Sequence, residues 1–373
     1  MGKYTERAIA TEADRVHPDA RPENWHGRGA VSNVRSRYEA EDRQREDDGW
    51  GSLEEAVSRK TRLHDDATRS IIAWNNSPDI PFDRSINPYR GCEHGCVYCF
   101  ARPSHAYLGF SPGLDFETEI MVKRDAAVLL RKELAARSYR CGVLSMGSNT
   151  DPYQPVEREL GITRSILEVL RETKHPLGMV TKNFLVTRDI DILSDMASQG
   201  LVKIYVSVTT LDRMLARNME PRASTPTKRL QAIRLLAEAG IPVGVMAAPM
   251  IPALNEHEIE RILEAAYEAG AREAGFVMLR LPLELKELWR EWLAAHYPDR
   301  ASRVMKQVQA VRGGHDYQAE FGDRMRGQGP VAELVAQRFQ LACRKLGFNE
   351  RRWTLRTDLF TPPAADSRQG CLF

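Results

Sequence analysis

Three of the six cysteines in the 373-residue chain stand within eight residues, as Cys92, Cys96 and Cys99. Their spacing is C-x3-C-x2-C, inside INPYRGCEHGCVYCFARPSHAYL (86–108). Thiolates are soft ligands, and three so close together can each take one iron of a 4Fe–4S cube. The fourth iron is then left without a protein ligand, as an inner-sphere redox cluster requires. Gly91 and Gly95 let the backbone wrap tightly round such a group. Two other readings use the same residues. Zinc takes three thiolates with His94 or His105, although zinc sites more often show paired C-x2-C knuckles and no second knuckle is present. An electron-carrying cluster wants a fourth cysteine, for which Cys141, Cys343 and Cys371 are available. On either of these the chain is a non-catalytic zinc or iron–sulfur protein.

The residues after the cysteines must position them. From Ser70 onward, short apolar runs alternate with amphipathic helical patterns. The runs are GVLSM (142–146), LGMVT (177–181), VKIYVSV (202–208), VGVMAA (243–248) and GFVML (275–279), with one more strand within 85–91. Helical patterns fall at 125–137, 163–173, 188–199, 227–240 and 255–270. In the last, Ile259, Ile262, Leu263 and Ala266 share one face. Gly240 and Gly270 stand where a helix C-terminal cap needs positive φ. This gives about six βα units, hence a parallel sheet with right-handed crossovers. Periodicity alone leaves open a doubly wound sheet or a partial (β/α)6 barrel. In both, chemistry lies at the C-terminal ends of the strands.

The chain divides by texture. Residues 1–69 are polar and mixed in charge and read as a flexible arm, with Trp25 and Tyr38 able to pin it. Residues 70–284 form the αβ core. Residues 285–357 form a helical and loop extension, with helices at 284–297 and 331–348 and a Gly-rich loop at 312–330. Between 301 and 357 there are eleven Lys/Arg against five Asp/Glu, so this part is basic. Residues 358–373 read as a flexible tail. Net charge is +2, which argues neither for nor against a nucleic-acid partner. There is neither a long apolar run nor a secretory leader, so a cytoplasmic protein without a membrane span is expected. Three crowded cysteines then read as a metal or cluster site, not as disulfides.

The motif C-x3-C-x-Φ-C, with Tyr98 before the third cysteine and six βα units around it, resembles the radical S-adenosylmethionine (radical SAM) enzymes. The stretches NPYRGCEHGCVYCFARPSHAYL (87–108), GSNTDPYQPVER (147–158), MEPRASTPTKRLQAIRLLAEAGIPV (219–243) and APMIPALNE (248–256) resemble the spore photoproduct lyase-like branch, and more narrowly a bacterial family within it. The resemblance covers roughly residues 70 to 357 and implies a partial (β/α)6 TIM-type barrel.

It also implies a 4Fe–4S cluster on Cys92, Cys96 and Cys99, with the open iron holding S-adenosylmethionine (AdoMet). Reductive cleavage then gives a 5′-deoxyadenosyl radical that abstracts hydrogen from a substrate. Tyr98 is expected by the adenine, and Asn149, Thr150 and Asp151 at the methionine end. Lys182 suits the AdoMet carboxylate, and Ser207 and Thr209 the ribose or carboxylate. Glu220 and Arg222 are expected to face the cofactor, Met250 and Ile251 to pack on adenine, and Arg280 and Ser148 to face substrate. Bland roles compete: Asp151–Pro152 as a turn starter, Thr225 as a helix cap, Arg222 as a surface charge. The implied electron donor is a flavodoxin or ferredoxin.

The lyase carries a hydrogen-donating cysteine where this chain has Ser148, and a tyrosine where it has Phe100. A serine O–H bond is too strong to donate hydrogen to a carbon radical, so thymine-dimer lyase activity is not expected. Cys141 reads as the wrong end of its strand, and Cys343 as core beside Phe339. QGCLF (369–373) resembles a degenerate sliding-clamp-binding peptide, with Gln369, Leu372 and Phe373 as anchors. The leading expectation is therefore a nucleic-acid substrate, in DNA repair or modification. The alternative is radical modification of RNA, protein or a small molecule.

Overall fold

The apolar runs become the strands of one sheet. In the computed structural model, which describes residues 27–38 and 60–363, a small sheet joins β1 (Arg62–Asp65), β4 (Tyr89–Arg90) and β5 (Glu119–Val122). The larger sheet comprises β2 (Ile72–Trp74), β3 (Arg84–Ile86), β6 (Leu144–Met146), β7 (Leu177–Thr181), β8 (Val202–Ser207), β9 (Val243–Met250) and β10 (Glu273–Met278). Its order is β10-β9-β8-β7-β6-β3-β2. The six strands from β3 to β10 are mutually parallel, and β2 alone is antiparallel, on β3. This is the partial (β/α)6 barrel: six parallel strands in sequence order, each fed by a crossover.

Helix α1 (Asp115–Thr118) precedes β5, and the crossovers run through α2 (Ala126–Leu134), α3 (Glu157–Leu160) with α4 (Ile162–Glu172), α5 (Ile190–Ser198), α6 (Arg213–Met219) with α7 (Pro226–Glu238), and α8 (Ile259–Glu268). Ile259, Ile262, Leu263 and Ala266 of α8 are fully buried, as their shared face requires. Burying each large aliphatic side chain contributes ~1.5–3 kcal/mol, which is what holds such a helix on the sheet. Thr225 caps α7 by accepting from Lys228 N–H at 3.4 Å, and Pro226 takes the first turn. Gly240 and Gly270 take φ of +75° and +110° just past α7 and α8.

Four departures from the sequence reading concern the ends. The extension continues through α9 (Leu285–His296), α10 (Pro298–Ala310), α11 (Asp323–Arg326) and α12 (Gly329–Leu346). Helix α12 packs on β10 and α8, so the sixth helix of the barrel comes from the extension and not from residues 70–284. Helix α10 was not expected, and its Val304, Met305 and Val308 join Trp289 and Trp292 of α9 in an apolar cluster. Part of the polar arm is also packed. Residues 62–65 are β1, and Ala30, Val31 and Val34 are buried in that same cluster, with Val97 and Tyr98. Short apolar triplets inside a charged segment leave no periodicity to read. In the tail, Thr361 N–H bonds Thr173 O at 2.9 Å and Phe360 packs on His175. Trp25 and the QGCLF peptide lie outside the described residues. Among those described, no helix is long and apolar enough to cross a membrane.

Candidate active site

The cysteine loop leaves β4 and lies against the barrel end formed by the C-termini of β8 and β9. Tight turns shape it: Gly95 N–H bonds Cys92 O at 3.3 Å, Cys99 N–H bonds Cys96 O at 3.1 Å, and Arg102 N–H bonds Cys99 O at 3.1 Å. Val97 N–H reaches Met219 O at 3.0 Å, which ties the loop to the end of α6. Cys92 and Cys96 are buried and Cys99 is partly so. Burial pushes all three thiols up, Cys96 to about 12, with Glu220 adding to the effect there and Lys182 opposing it. Each would stay protonated on its own; a coordinating iron is what makes such thiols into thiolates.

The residues present fit a cluster. The thiols feel one another's charge, so they belong to one pocket. Among the described residues no three His, Cys, Asp or Glu side chains gather tightly enough to grip one ion. Thiolates bound to three different irons of a cube stand further apart than that. Among the described residues His94, Cys141 and Cys343 are engaged elsewhere, whereas both ring nitrogens of His105 are buried without a hydrogen-bond partner; Cys371 lies outside the described residues. His94 pairs with Asp151 at 3.4 Å and Asn183 at 3.0 Å, and His105 is fully buried between the rings of Phe110 and Phe116. Cys141 lies before β6, at the opposite end of the barrel strands, and Cys343 is in the core beside Phe339.

Two buried ion pairs clamp the loop, and neither was anticipated. Arg102, fully buried, donates to Cys96 O at 2.8 Å and Gly113 O at 2.7 Å and pairs with buried Glu117. Glu117 also accepts the Gly29 and Ala30 N–H groups, at 3.0 and 2.8 Å, so the packed N-terminal segment is strapped onto the loop. On the other side, Glu220 accepts from the Tyr98 hydroxyl and from Thr209 Oγ1 at 2.8 Å. It pairs with buried Arg229, which donates to Ser207 O at 3.1 Å and Ser224 O at 2.7 Å. Burial alone would raise the Glu220 carboxyl; Arg229 and Lys182 outweigh it, and the group stays ionised. A lone Arg or Glu in a sequence carries no sign of which residue it will pair with, here 15 and 9 positions away, and only burial reveals these pairs.

The residues expected at AdoMet divide into two sets. Lys182 follows β7 with its ammonium 5.8 Å from the centre of the Tyr98 ring, and it makes no ion pair among the described residues. Asn149 is exposed after β6, and the Asn149 and Thr150 N–H groups both point at Asn87 Oδ1, at 3.0 and 3.4 Å. Ser148 accepts from Asn87 Nδ2 at 3.3 Å. These stand at strand ends around the loop. The others are held by protein partners. Asp151 accepts from Thr181 Oγ1 and Lys182 N–H, both at 2.7 Å, and from Tyr153 N–H at 2.9 Å. Burial would raise it, but His94 and these donors hold it at about 2. It is a turn builder. Arg222 pairs with Glu93 at 3.1 Å and so secures the first turn of the loop, where Glu93 also accepts Val156 N–H at 2.7 Å. Glu220 and Thr209 fix Tyr98. Ser207 and Ile251 are buried; Ile251 lies in the apolar cluster that contains Tyr98 and Leu254, beside buried Met250. Arg280 follows β10 with its guanidinium 4.9 Å from the ring centre of Phe100.

A family model described as the radical SAM superfamily matches residues 86–266, the span from β3 to α8. An uncharacterised protein of Mycobacterium tuberculosis is 37% identical over 264 residues, covering 70% of this chain and 76% of the relative. One from Acidianus two-tailed virus is 31% identical over 205 residues, covering 52% and 66%. Among solved structures, a spore photoproduct lyase variant superposes with a TM-score of 0.55 at 17% identity, over 77% of this chain and 80% of that one. Another, bound to a dinucleoside spore photoproduct, gives 0.55 at 16% over the same shares. Those two likenesses speak for the fold. Taken with the motif, the barrel and the relatives, they place the chain: it belongs to the radical SAM superfamily.

Proposed function

We propose that this chain is a radical SAM enzyme that abstracts hydrogen from a nucleic-acid substrate, in repair or modification of DNA. When bound, the cluster supplies the electron that splits AdoMet into methionine and a 5′-deoxyadenosyl radical. The observation that carries the reading is the three thiols in one pocket together with Lys182, whose ammonium stands 5.8 Å from the centre of the Tyr98 ring and makes no ion pair among the described residues. Lys182 is the group to hold the AdoMet carboxylate, and the exposed turn at Asn149 the methionine end. The apolar wall of Val97, Leu254 and Ile251 excludes water from the far side of the loop.

Nucleic acid is favoured over protein or a small molecule by the basic stretch 301–357 and by the fold shared with an enzyme that binds a dinucleoside photoproduct. Reversal of a thymine dimer by the lyase's own route is not proposed, because Ser148 cannot return a hydrogen atom and, among the described residues, Cys141 lies at the other end of the barrel strands and Cys343 in the core. A flavodoxin or ferredoxin is the expected electron donor, and the terminal peptide the expected clamp contact. The test is anaerobic reconstitution with iron and sulfide, then chemical reduction in the presence of AdoMet. Formation of 5′-deoxyadenosine, increased by single-stranded DNA, is expected. A reduced cluster that leaves AdoMet intact would overturn the proposal.

A further inference from the structure

At the C-terminal end of β10 two guanidiniums stand close together, and neither makes an ion pair with a carboxylate of the described residues. Arg312 is fully buried and is held by backbone carbonyls only: Leu279 O and Asp323 O at 2.6 Å, and Met278 O at 3.4 Å. Its Nε has no partner. Arg280, half-buried, has one hydrogen-bond acceptor, the thioether of Met325 at 3.6 Å, which is a weak one. Its Nε is buried and equally without a partner. The two charges act on each other: burial first and Arg280 second push Arg312 down to about 10, with Tyr317 and the Asp323 carboxylate only partly opposing them. Elsewhere the same chain gives its buried arginines acids, as with Arg102–Glu117 and Arg229–Glu220. Two neighbouring cations without an ion-paired acid are costly, and an anion from outside would offset that cost.

The place bears on what that anion is. Arg280 lies over the ring of Phe100, which is 44% exposed and directly follows Cys99. The seat is thus one residue from the cluster loop, on the rim where a substrate must lie, and it offers a planar fork of donors beside an exposed aromatic ring. A guanidinium fork matches an oxyanion in two-point geometry, and a ring beside it suits a base.

We infer that Arg280, backed by the buried charge of Arg312, seats a phosphodiester oxyanion of the substrate strand, so that the base next to it lies over Phe100 at the mouth of the barrel. This rests on the nucleic-acid reading above. Arg280 is a binding residue in this scheme, and Arg312 acts through it by fixing the β10 end and adding positive potential.

The experiment measures binding of a fluorescent single-stranded oligonucleotide, in DNA and RNA versions, to the reconstituted full chain at several salt concentrations. Arg280→Gln and Arg280→Lys are compared with the parent, and iron content and melting temperature establish that each is folded. Titration with inorganic pyrophosphate, read by phosphorus NMR, runs in parallel. Arg280→Gln is expected to weaken oligonucleotide binding about tenfold and to lower the salt slope by about one, with Arg280→Lys recovering part of the loss. Arg280-dependent binding of RNA supports the seat equally, since the phosphodiester is shared. If neither nucleic acid binds but pyrophosphate does so through Arg280, the oxyanion seat stands and the nucleic-acid reading falls. If the parent binds nucleic acid and Arg280→Gln binds it as well with an unchanged salt slope, the seat is wrong and the reading survives. If neither nucleic acid nor pyrophosphate binds, the seat is overturned.

Discussion

Gly29 presses its backbone against Gly95, so closely that a Cβ at position 29 would stand 1.7 Å from the Gly95 carbonyl oxygen. Gly95 itself holds φ of +66° with Glu117 close behind it. The N-terminal segment therefore forms one wall of the cysteine loop. Gly29→Ala is expected to push the two backbones apart, at a cost of about 1–3 kcal/mol, and to lower the iron retained after reconstitution. Denaturant midpoint and iron content measure the two effects; a variant unchanged in both would show that the segment rests on the loop without supporting it.

The three loop cysteines act as a set. Replacing Cys92, Cys96 or Cys99 with Ala is expected to abolish the visible absorbance of the cluster. Cys141→Ala and Cys343→Ser leave it unaltered, because those thiols lie before β6 and in the core. Loss of the chromophore in either of the last two would revive a four-cysteine cluster.

Lys182 makes no ion pair among the described residues, and the charge it brings beside Tyr98, which also acts on buried Glu220, is the one placed to meet AdoMet. Lys182→Met is expected to weaken AdoMet binding at least about tenfold, one charge-assisted contact of roughly 1.5–3 kcal/mol. Equilibrium titration of AdoMet into the loaded protein measures it, and Lys182→Arg keeps most of the affinity. Equal binding by Lys182→Met would move the carboxylate site elsewhere.

Arg229→Met leaves Glu220 buried without its counterion. The expected loss is about 3–5 kcal/mol of folding stability. Adding Glu220→Gln to it restores part, since the stranded charge is gone. Urea midpoints of the single and double variants decide this, and a double variant weaker than the single would contradict it.

His175 gives the pH dependence. It is buried, with Nδ1 on Pro176 O at 3.0 Å and Nε2 on the Tyr139 hydroxyl at 2.7 Å, and burial lowers it to about 4. The unfolded chain takes up the proton near pH 6.5 and the folded chain only near 4, so between these values the unfolded state binds more protons. Stability is complete above about 6.5 and falls as pH drops towards 4, by at most about 1.4 kcal/mol per pH unit. His175→Gln should flatten that fall in urea midpoints between pH 7 and 5. Part of it remains, because burial also holds His105 at about 4. An identical slope in the variant would assign the acid sensitivity to other groups.

The chemistry was legible where it is local in sequence. The spacing of Cys92, Cys96 and Cys99 is a ligand pattern within one loop, and the period of α8 or the run VKIYVSV needs no partner to be recognised. What escaped is which side chains pair, near or far along the chain. Asp151 and Glu220 were expected at the cofactor because they follow strands. The structure ties them to His94 and Arg229, and carboxylates at strand ends look alike in a sequence whether they hold a ligand or a loop. The arm looked unstructured because Ala30, Val31 and Val34 are too few to show a pattern, although each finds shelter in a core made mostly by later residues. Helix α12 was seen as a helix but not as the sixth of the barrel, since the ridge it covers on β10 lies beyond an interruption of three other helices.

The bed on which Val31 and Val34 lie includes Trp289, Trp292 and Val308, so the earliest described residues wait for some of the latest. As the ribosome delivers the chain, Glu117 can take the Gly29 and Ala30 amides once it follows them by 88 and 87 positions, but the Arg37–Glu284 pair closes only after a separation of 247. The wall around the cysteines is thus completed only once α9 and α10 have been made. A truncated product of translation would carry the whole C-x3-C-x2-C motif and yet lack its enclosure.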